Sequence, residues 1–161
     1  ADAGVTRVSV GVQALQDRHL RRLGRAHDAV PALAAVSAAS RAGLRVSADL
    51  MYGYAGLRPG DLVESARRLL DAGARHLSAY SLETPASGKP PVRPSAPGAE
   101  DRQWEALADF LEGRGFFPYE VSNFAPPGEE SLHNLSYWEG GSYLGLGPGA
   151  HGFLAGEGPH F

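Results

Sequence analysis

The stretch that decides the fold is Val5-Thr6-Arg7-Val8-Ser9-Val10-Gly11-Val12. It alternates β-branched residues with small or polar ones, which is typical of a β-strand. Residues 45–52 and 76–82 predict two further strands, and the segments between the three strands have the apolar spacing of helices. Strands that alternate with helices through short connections form βαβ crossovers, and such crossovers make a sheet parallel. Residues 5–82 therefore predict three consecutive strand-helix units of a barrel-like α/β fold.

The rest of the chain predicts less regular structure. Residues 84–98 hold five prolines in fifteen positions and predict a loop. A helix is predicted over 99–114, followed by a strand over 117–124 in which Pro118 favours a position at a sheet edge. From 126 to 152 the chain is rich in glycine and predicts turns.

These patterns divide the chain into three segments. Residues 1–83 are predicted to form a partial barrel of three strand-helix units, and 84–98 a proline-rich loop. Residues 99–161 are predicted to form a C-terminal helix, a strand and a segment rich in glycine and aromatic residues. A strand begins almost at once, and the chain stops at Phe161 just after a glycine-rich turn. We therefore expect the sequence to be an internal part of a longer protein.

Composition narrows the functional class. With 43% hydrophobic and 20% charged residues, the 161 residues are typical of a soluble globular domain. A formal net charge of −3 and a pI near 6.1 give no overall attraction to nucleic acid or anionic lipid. No apolar run approaches the roughly 20 residues that a membrane helix needs. The composition thus predicts a cytoplasmic protein that binds no nucleic acid and does not insert into a membrane.

The sequence also contains no cysteine. Disulfides, thiolate metal sites and iron-sulfur ligands are therefore excluded from these 161 residues.

Three polar residues stand at or just beyond the ends of the predicted strands, namely Gln13, Asp49 and Glu83. In a parallel barrel the C-terminal strand ends meet at one mouth, where ligands bind. Asp49 lies inside an apolar strand, where an unpaired carboxylate would cost several kcal/mol. It is either a ligand-binding group or a carboxylate hydrogen-bonded to the backbone or to a nearby arginine.

Arg25 follows Gly24 and precedes a helix, and four arginines cluster within residues 18–25. A guanidinium can clamp a carboxylate or phosphate through two hydrogen bonds. The alternatives are a solvent-facing Arg25 and a solvated helix face for the other three arginines.

His133 lies among aromatic and small polar residues, in His133-Asn134-Leu135-Ser136-Tyr137-Trp138. A neutral imidazole is a common ligand of haem iron, and Tyr137 and Trp138 offer flat apolar area against a porphyrin. The alternatives are a hydrogen-bonded histidine without a ligand and a tryptophan in the core.

These motifs together resemble the radical S-adenosylmethionine (SAM) proteins of the oxygen-independent coproporphyrinogen III oxidase group, most closely their HemW-like haem chaperone branch. The resemblance runs in order through nearly the whole chain, and its last third favours the chaperone branch. The stretches that carry it are residues 7–13, 23–27, 48–53, 77–82, 119–125, 133–138 and 143–151.

The resemblance implies a fold and a set of roles. The fold would be the later strand-helix units of a partial (β/α)6 TIM-like barrel, plus the start of the C-terminal region. Gln13 and Asp49 match positions that hold the ribose of S-adenosylmethionine, and Arg25 matches the one that pairs with its methionine carboxylate. The pattern His133, Asn134, Tyr137 and Trp138 is associated with haem, with His133 as a candidate iron ligand.

In this family a CxxxCxxC loop holds a [4Fe–4S] cluster, and electron transfer from it splits the sulfonium bond to give a 5′-deoxyadenosyl radical. That loop, a glycine-rich strand and an acidic position belong upstream of Ala1 by the resemblance. Ala55 and Leu57 replace the proline and glutamine that often follow the Tyr-Gly turn, and the proline-rich loop looks shortened. We therefore expect no catalytic residue and no cluster ligand in this chain, and no radical chemistry from it alone.

The sequence thus predicts part of a HemW-like protein that binds S-adenosylmethionine and a [4Fe–4S] cluster and acts in haem binding and delivery. Its partners would be haem or porphyrin and haem-receiving respiratory proteins. One alternative is an oxygen-independent coproporphyrinogen III oxidase, which decarboxylates its substrate oxidatively. Another is a non-radical barrel fragment with a phosphate or sugar ligand.

Overall fold

A computed structural model describes residues 4–83, 92–154 and 156. The chain forms two compact units, which divide after Glu129. Ten elements follow one another along the chain: β1 Arg7–Gln13, α1 Asp17–Arg22, α2 Ala29–Arg41, β2 Arg45–Tyr52, α3 Pro59–Asp71, β3 His76–Ser81, α4 Ala99–Glu112, β4 Phe117–Pro118, β5 Asn123–Ala125 and α5 Leu132–Trp138.

The first unit is built on a five-stranded sheet with the order β1-β2-β3-β5-β4. β1, β2 and β3 are parallel neighbours, which confirms the predicted crossovers and the mixed α/β fold. β5 pairs with β3 antiparallel, and β4 pairs with β5 antiparallel at the edge of the sheet. Pro118 lies in this edge strand, as its missing N–H group led us to expect.

The two faces of the sheet differ in chemistry. One face presents apolar residues such as Val46, Ala48 and Leu50, all fully buried in the core with α2 and α3. Because side chains alternate along a strand, the intervening residues lie on the opposite face. There the register aligns Ser47 with His76 and Asp49 with Ser78. The helices thus cover the apolar face, and the opposite face is polar.

Helix α4 packs against α3 and contributes the buried residues Gln103, Leu107 and Leu111 to this unit. The three-segment division of the chain stays a prediction. Most of the predicted proline-rich loop, residues 84–91, lies outside the described residues. Its described part, 92–98, contains no helix or strand, and the backbone N–H of Ser95 donates to the Gly53 carbonyl at 2.8 Å.

Two predictions of secondary structure were wrong. The strand predicted over 117–124 is two short strands joined by a turn, in which Oε1 of Glu120 accepts from the backbone N–H of Ser122 at 2.8 Å. The chain reverses because β4 pairs antiparallel with β5, and β5 in turn pairs with β3. Helix α5 forms inside the region predicted as turns, because Ser131 caps it and no glycine lies between Gly128 and Gly140.

Within the described parts of the chain, none of the helices combines the length and the apolar character needed to cross a membrane.

Candidate functional site

Asp49 lies near the C-terminal end of β2 on the polar face of the sheet. The Ser9 hydroxyl donates to its Oδ1 at 2.9 Å, and the Ser78 hydroxyl also hydrogen-bonds it. Burial raises the pKa of this carboxyl, and the two serines oppose the rise. The hydrogen-bond partners of Asp49 are thus serine hydroxyl groups on the two neighbouring strands, β1 and β3. A carboxylate has about four acceptor positions, so Asp49 keeps capacity for a ligand's hydroxyl groups.

Gln13 ends β1 in an unusual conformation. Its φ is +68°, and it is the one non-glycine residue with positive φ among those the structure describes. The N–H of Ala14 donates to the Val12 carbonyl at 2.8 Å, so Gln13 is the central residue of a three-residue turn. Such backbone costs about 1–3 kcal/mol and persists where the surroundings enforce it, commonly at functional sites.

The turn places Gln13 beside β2. The strand register shifts between Val10 and Gln13, and Gln13 then aligns with Leu50, the neighbour of Asp49. Gly11 leaves room for the glutamine side chain, since a Cβ at Gly11 would lie 3.0 Å from Nε2 of Gln13. The structure therefore brings the ends of β1 and β2, with Gln13 and Asp49, next to each other.

Arg25 is exposed on the connection between α1 and α2. One of its guanidinium nitrogens lies 3.5 Å from Sδ of Met51, which follows Asp49 by two residues in β2. Gly24, with φ +67°, turns the chain, and the N–H of Arg25 donates to the Leu20 carbonyl at 2.9 Å. Arg25 is thus brought to the same end of β2 as Asp49.

A cavity of about 620 Å³ opens at the C-terminal ends of β2 and β3. Its size falls within the usual range of small-ligand sites. Glu83, predicted to face the mouth of the barrel, lies on its wall. The lining residues are Met51, Tyr52, Tyr80, Ser81, Leu82, Glu83, Val121 and Ser122.

The turn after β2 is held from α4 by Gln103, which is almost fully buried. Its Oε1 accepts from the N–H of Gly53 at 2.8 Å, and its Nε2 donates to the Leu57 carbonyl at 3.0 Å. Gly53 has φ +78°, and a Cβ there would lie 2.8 Å from Oγ of Ser81. Sequence reasoning missed Gln103; its one signal was a polar residue four positions before Leu107 on an apolar helix face.

Sequence reasoning also missed His76 at the start of β3. Its Nδ1 lies 2.6 Å from Oγ of Ser47, and its Nε2 lies 2.7 Å from the Tyr119 hydroxyl. Burial, with a smaller contribution from the positive charge of Arg7, lowers the pKa of His76 to about 4. A neutral imidazole therefore bridges β2, β3 and the turn before β5.

The histidine-aromatic motif forms helix α5 in the second unit. His133, Asn134, Tyr137 and Trp138 lie on one side of this helix because residues three and four apart are neighbours. Nε2 of His133 lies 2.7 Å from the Tyr137 hydroxyl, and the Tyr137 and Tyr143 rings are 4.4 Å apart. Trp138 is 61% exposed, so it is not the core residue that one alternative held it to be.

Comparison with known proteins places these features in context. Residues 1–69 match the model of the Radical SAM superfamily. Heme chaperone HemW of Mycobacterium tuberculosis (strain ATCC 25618 / H37Rv) is 41% identical over 160 residues, which cover 94% of this chain and 41% of that protein. Heme chaperone HemW of Escherichia coli (strain K12) is 37% identical and is also covered to 41%.

A eukaryotic relative is similar to the same degree. Radical S-adenosyl methionine domain-containing protein 1, mitochondrial, of Bos taurus is 43% identical over 93% of this chain and 36% of that protein. The chain thus spans about two fifths of the length of these relatives.

Among solved structures, coproporphyrinogen III oxidase (HemN) from Escherichia coli, a radical SAM enzyme, superimposes with a TM-score of 0.75. The two are 19% identical, and the match covers 95% of this chain and 40% of that one. This likeness supports the fold alone.

Proposed function

The chain resembles the HemW group of radical SAM proteins over nearly its whole length, and on this premise we propose that the chain is part of a HemW-like protein. The protein binds S-adenosylmethionine and a [4Fe–4S] cluster, and acts in haem binding and delivery. The observation that carries the proposal is the convergence of Gln13, Arg25 and Asp49 at the C-terminal ends of β1 and β2.

The residue types suit the two ends of S-adenosylmethionine. The carboxylate of Asp49 accepts from the vicinal ribose hydroxyls, and Gln13 adds an amide that both donates and accepts. The guanidinium of Arg25 binds the methionine carboxylate by charge-assisted hydrogen bonds. The cavity that Met51 lines, two residues beyond Asp49 in β2, would hold the adenine ring.

The cluster is bound outside these residues, because the 161 residues contain no cysteine. When bound, it supplies the electron for reductive cleavage of S-adenosylmethionine. This chain's own part is to bind and orient the nucleotide: Asp49 and Gln13 fix the ribose, while Arg25 fixes the amino-acid end.

The residue types of α5 are suited to binding haem. Imidazole and phenol are both ligands of haem iron in proteins, and Trp138 and Tyr137 are exposed beside His133. Because Nε2 of His133 is engaged by the Tyr137 hydroxyl, iron binding at Nε2 requires that hydrogen bond to break. Haem-receiving respiratory proteins are the partners we propose, and the cytoplasm is the proposed location.

The nucleotide site is tested by titrating S-adenosylmethionine into the full-length protein, assembled anaerobically with its cluster. We expect Asp49→Asn to lower the affinity about tenfold or more, because the substitution removes charge-assisted hydrogen bonds. Asp109→Asn, an exposed carboxylate on α4, is the matched control and should leave the affinity unchanged. Equal affinity of the wild type and Asp49→Asn would refute the ribose role.

Haem binding is tested by haemin titration followed by absorption spectroscopy of the full-length protein. We expect His133→Ala to change the spectrum of the bound haem, whereas His151→Ala, an exposed histidine outside the helix, should not. The same spectrum for the wild type and His133→Ala would end the iron-ligand assignment.

The chaperone proposal is separated from oxidase activity by incubation of the full-length protein with coproporphyrinogen III under reducing, anaerobic conditions. We expect no decarboxylated product. Turnover would overturn the chaperone assignment in favour of the oxidase alternative.

A further inference from the structure

His27 makes a contact that links the two parts of the nucleotide site. Its Nε2 lies 3.2 Å from the carbonyl oxygen of Val12, fifteen residues earlier in the chain. A carbonyl oxygen only accepts, so Nε2 carries a proton and donates it. The side chain is half-buried, which shields this hydrogen bond from competing water.

The acceptor is the carbonyl that forms the strained turn at Gln13. The Val12 oxygen already accepts from the N–H of Ala14 at 2.8 Å across that turn. A carbonyl oxygen has two lone pairs, and His27 uses the second. The hydrogen bond therefore attaches His27 to the carbonyl group that closes the turn at Gln13.

The donor belongs to the connection that carries Arg25, two residues before it. This connection is turned at Gly24 and held to the end of α1 by the Arg25 N–H. Its far end is held where Oδ1 of Asp17 accepts from the N–H of Ala29 at 2.9 Å. Both of these contacts join the connection to α1, whereas the His27 hydrogen bond joins it directly to β1.

We propose that His27 is a positioning residue that sets the distance between Arg25 and the strand end bearing Gln13. The inference rests on the proposed function, in which these two residues hold opposite ends of S-adenosylmethionine. A ligand that spans both groups needs them at one separation, and a ligand that reaches only the ribose group does not.

The experiment compares S-adenosylmethionine with 5′-methylthioadenosine, which keeps the adenine and ribose and lacks the amino-acid carboxylate. His27→Phe keeps a ring and removes the donor, and His27→Gln keeps an N–H donor at a similar reach. We measure the affinities of both ligands by calorimetry on the full-length, cluster-containing protein, and check each variant's fold by near-ultraviolet circular dichroism.

We expect His27→Phe to weaken S-adenosylmethionine about tenfold and 5′-methylthioadenosine by less than about threefold, as suits loss of one positioning hydrogen bond. His27→Gln should recover most of the lost affinity. In the double variant Arg25→Ala/His27→Phe, the second substitution should add almost nothing, because the two residues act as a unit.

The outcomes separate the two proposals. If Arg25→Ala loses affinity for S-adenosylmethionine and His27→Phe does not, the positioning role is wrong and the proposed function stands. Equal losses for both ligands in His27→Phe, or additive losses in the double variant, would also overturn the positioning role. If the wild type binds neither ligand, the proposed nucleotide site itself fails.

Discussion

The two units of the chain hold their candidate functional residues in different ways. In the first unit, Asp49 lies between the fully buried Ala48 and Leu50 on its strand, and one of its two serine partners, Ser9, is forty residues away in sequence. In the second, no residue of α5 is buried, and the hydrogen bond between His133 and Tyr137 joins residues one helical turn apart.

The difference shows which site is prearranged by tertiary structure. Moving Asp49 or Gln13 would disturb the sheet and the core beneath it, so their geometry is fixed before a ligand arrives. The geometry within α5 is set by local capping and by aromatic contacts such as Tyr137 with Tyr143. We therefore expect substitutions in the first unit to alter folding and binding together, and those in α5 to alter binding with little effect on global stability.

The largest expected effect is on the free energy of unfolding, when one aromatic residue from each unit is replaced by alanine. Phe124 on β5 is fully buried, and its ring centre lies 5.1 Å from that of Trp104 on α4. Trp138, in contrast, is 61% exposed. Phe124→Ala should lower the free energy of unfolding by about 3–5 kcal/mol, through lost burial and the cavity left behind. Trp138→Ala should lower it by about 1 kcal/mol or less. Urea unfolding of the full-length protein measures both values, and similar losses would break the contrast between the units.

The next effect is a pH dependence that belongs to the first unit. The pKa of His76 is about 4 in the fold, against 6.5 ordinarily. Between these values the unfolded chain binds the proton more readily, so this contribution to stability is complete above pH 6.5 and is lost as the pH falls toward 4. Its size is about 3 kcal/mol, and the lowered pKa of buried His19 acts in the same direction.

In His76→Gln the free energy of unfolding should therefore decrease less between pH 6.5 and pH 4 than in the wild type. This expectation holds whatever the substitution does to stability at neutral pH. Urea unfolding across that range measures the slope, with exposed His151→Gln as the control. An unchanged slope in His76→Gln would show that the acid sensitivity has another source.

Local sequence pattern predicts some elements of this fold, whereas long-range strand pairing decides others. The bounds of β2 follow from local pattern, because its strand signal is bracketed by Gly43 and by the Tyr-Gly turn. The reversal at 119–122 does not, since the pairing of Phe124 with Leu77 decides it. Helix α5 was missed because one cap at Ser131 is a weaker signal than the surrounding glycines.

The residues of the candidate site also fall into those that the sequence predicts and those that only the folded structure reveals. Gln13, Arg25 and Asp49 were singled out by residue type and by resemblance to a family. His27, His76 and Gln103 were not, because their roles depend on partners fifteen to fifty residues away. Those pairings exist only in the folded chain, and no local spacing encodes them.

A smaller effect concerns the strained turn in the first unit. Glycine adopts positive φ freely, whereas alanine does not. Gln13→Gly should therefore be more stable than Gln13→Ala by about 1 kcal/mol, although both should lose affinity for S-adenosylmethionine. Urea unfolding and ligand titration of the two variants give the stability and affinity values. Equal stability of Gly and Ala would show that the turn at Gln13 stores no strain.

The smallest effect tests whether α5 depends on its own cap. Oγ of Ser131 accepts from the N–H of Asn134 at 3.4 Å, a long hydrogen bond. Ser131→Ala should destabilise the helix by only about 0.5 kcal/mol, and Ser131→Asp should restore the cap and favour the N-terminal end of the helix dipole. Amide hydrogen exchange over residues 134–138 should quicken about twofold in Ser131→Ala and return to the wild-type rate or slower in Ser131→Asp, with exchange in β2 unchanged. If exchange in β2 quickens as well, α5 is coupled to the first unit and the contrast between a prearranged site and a locally held helix does not hold.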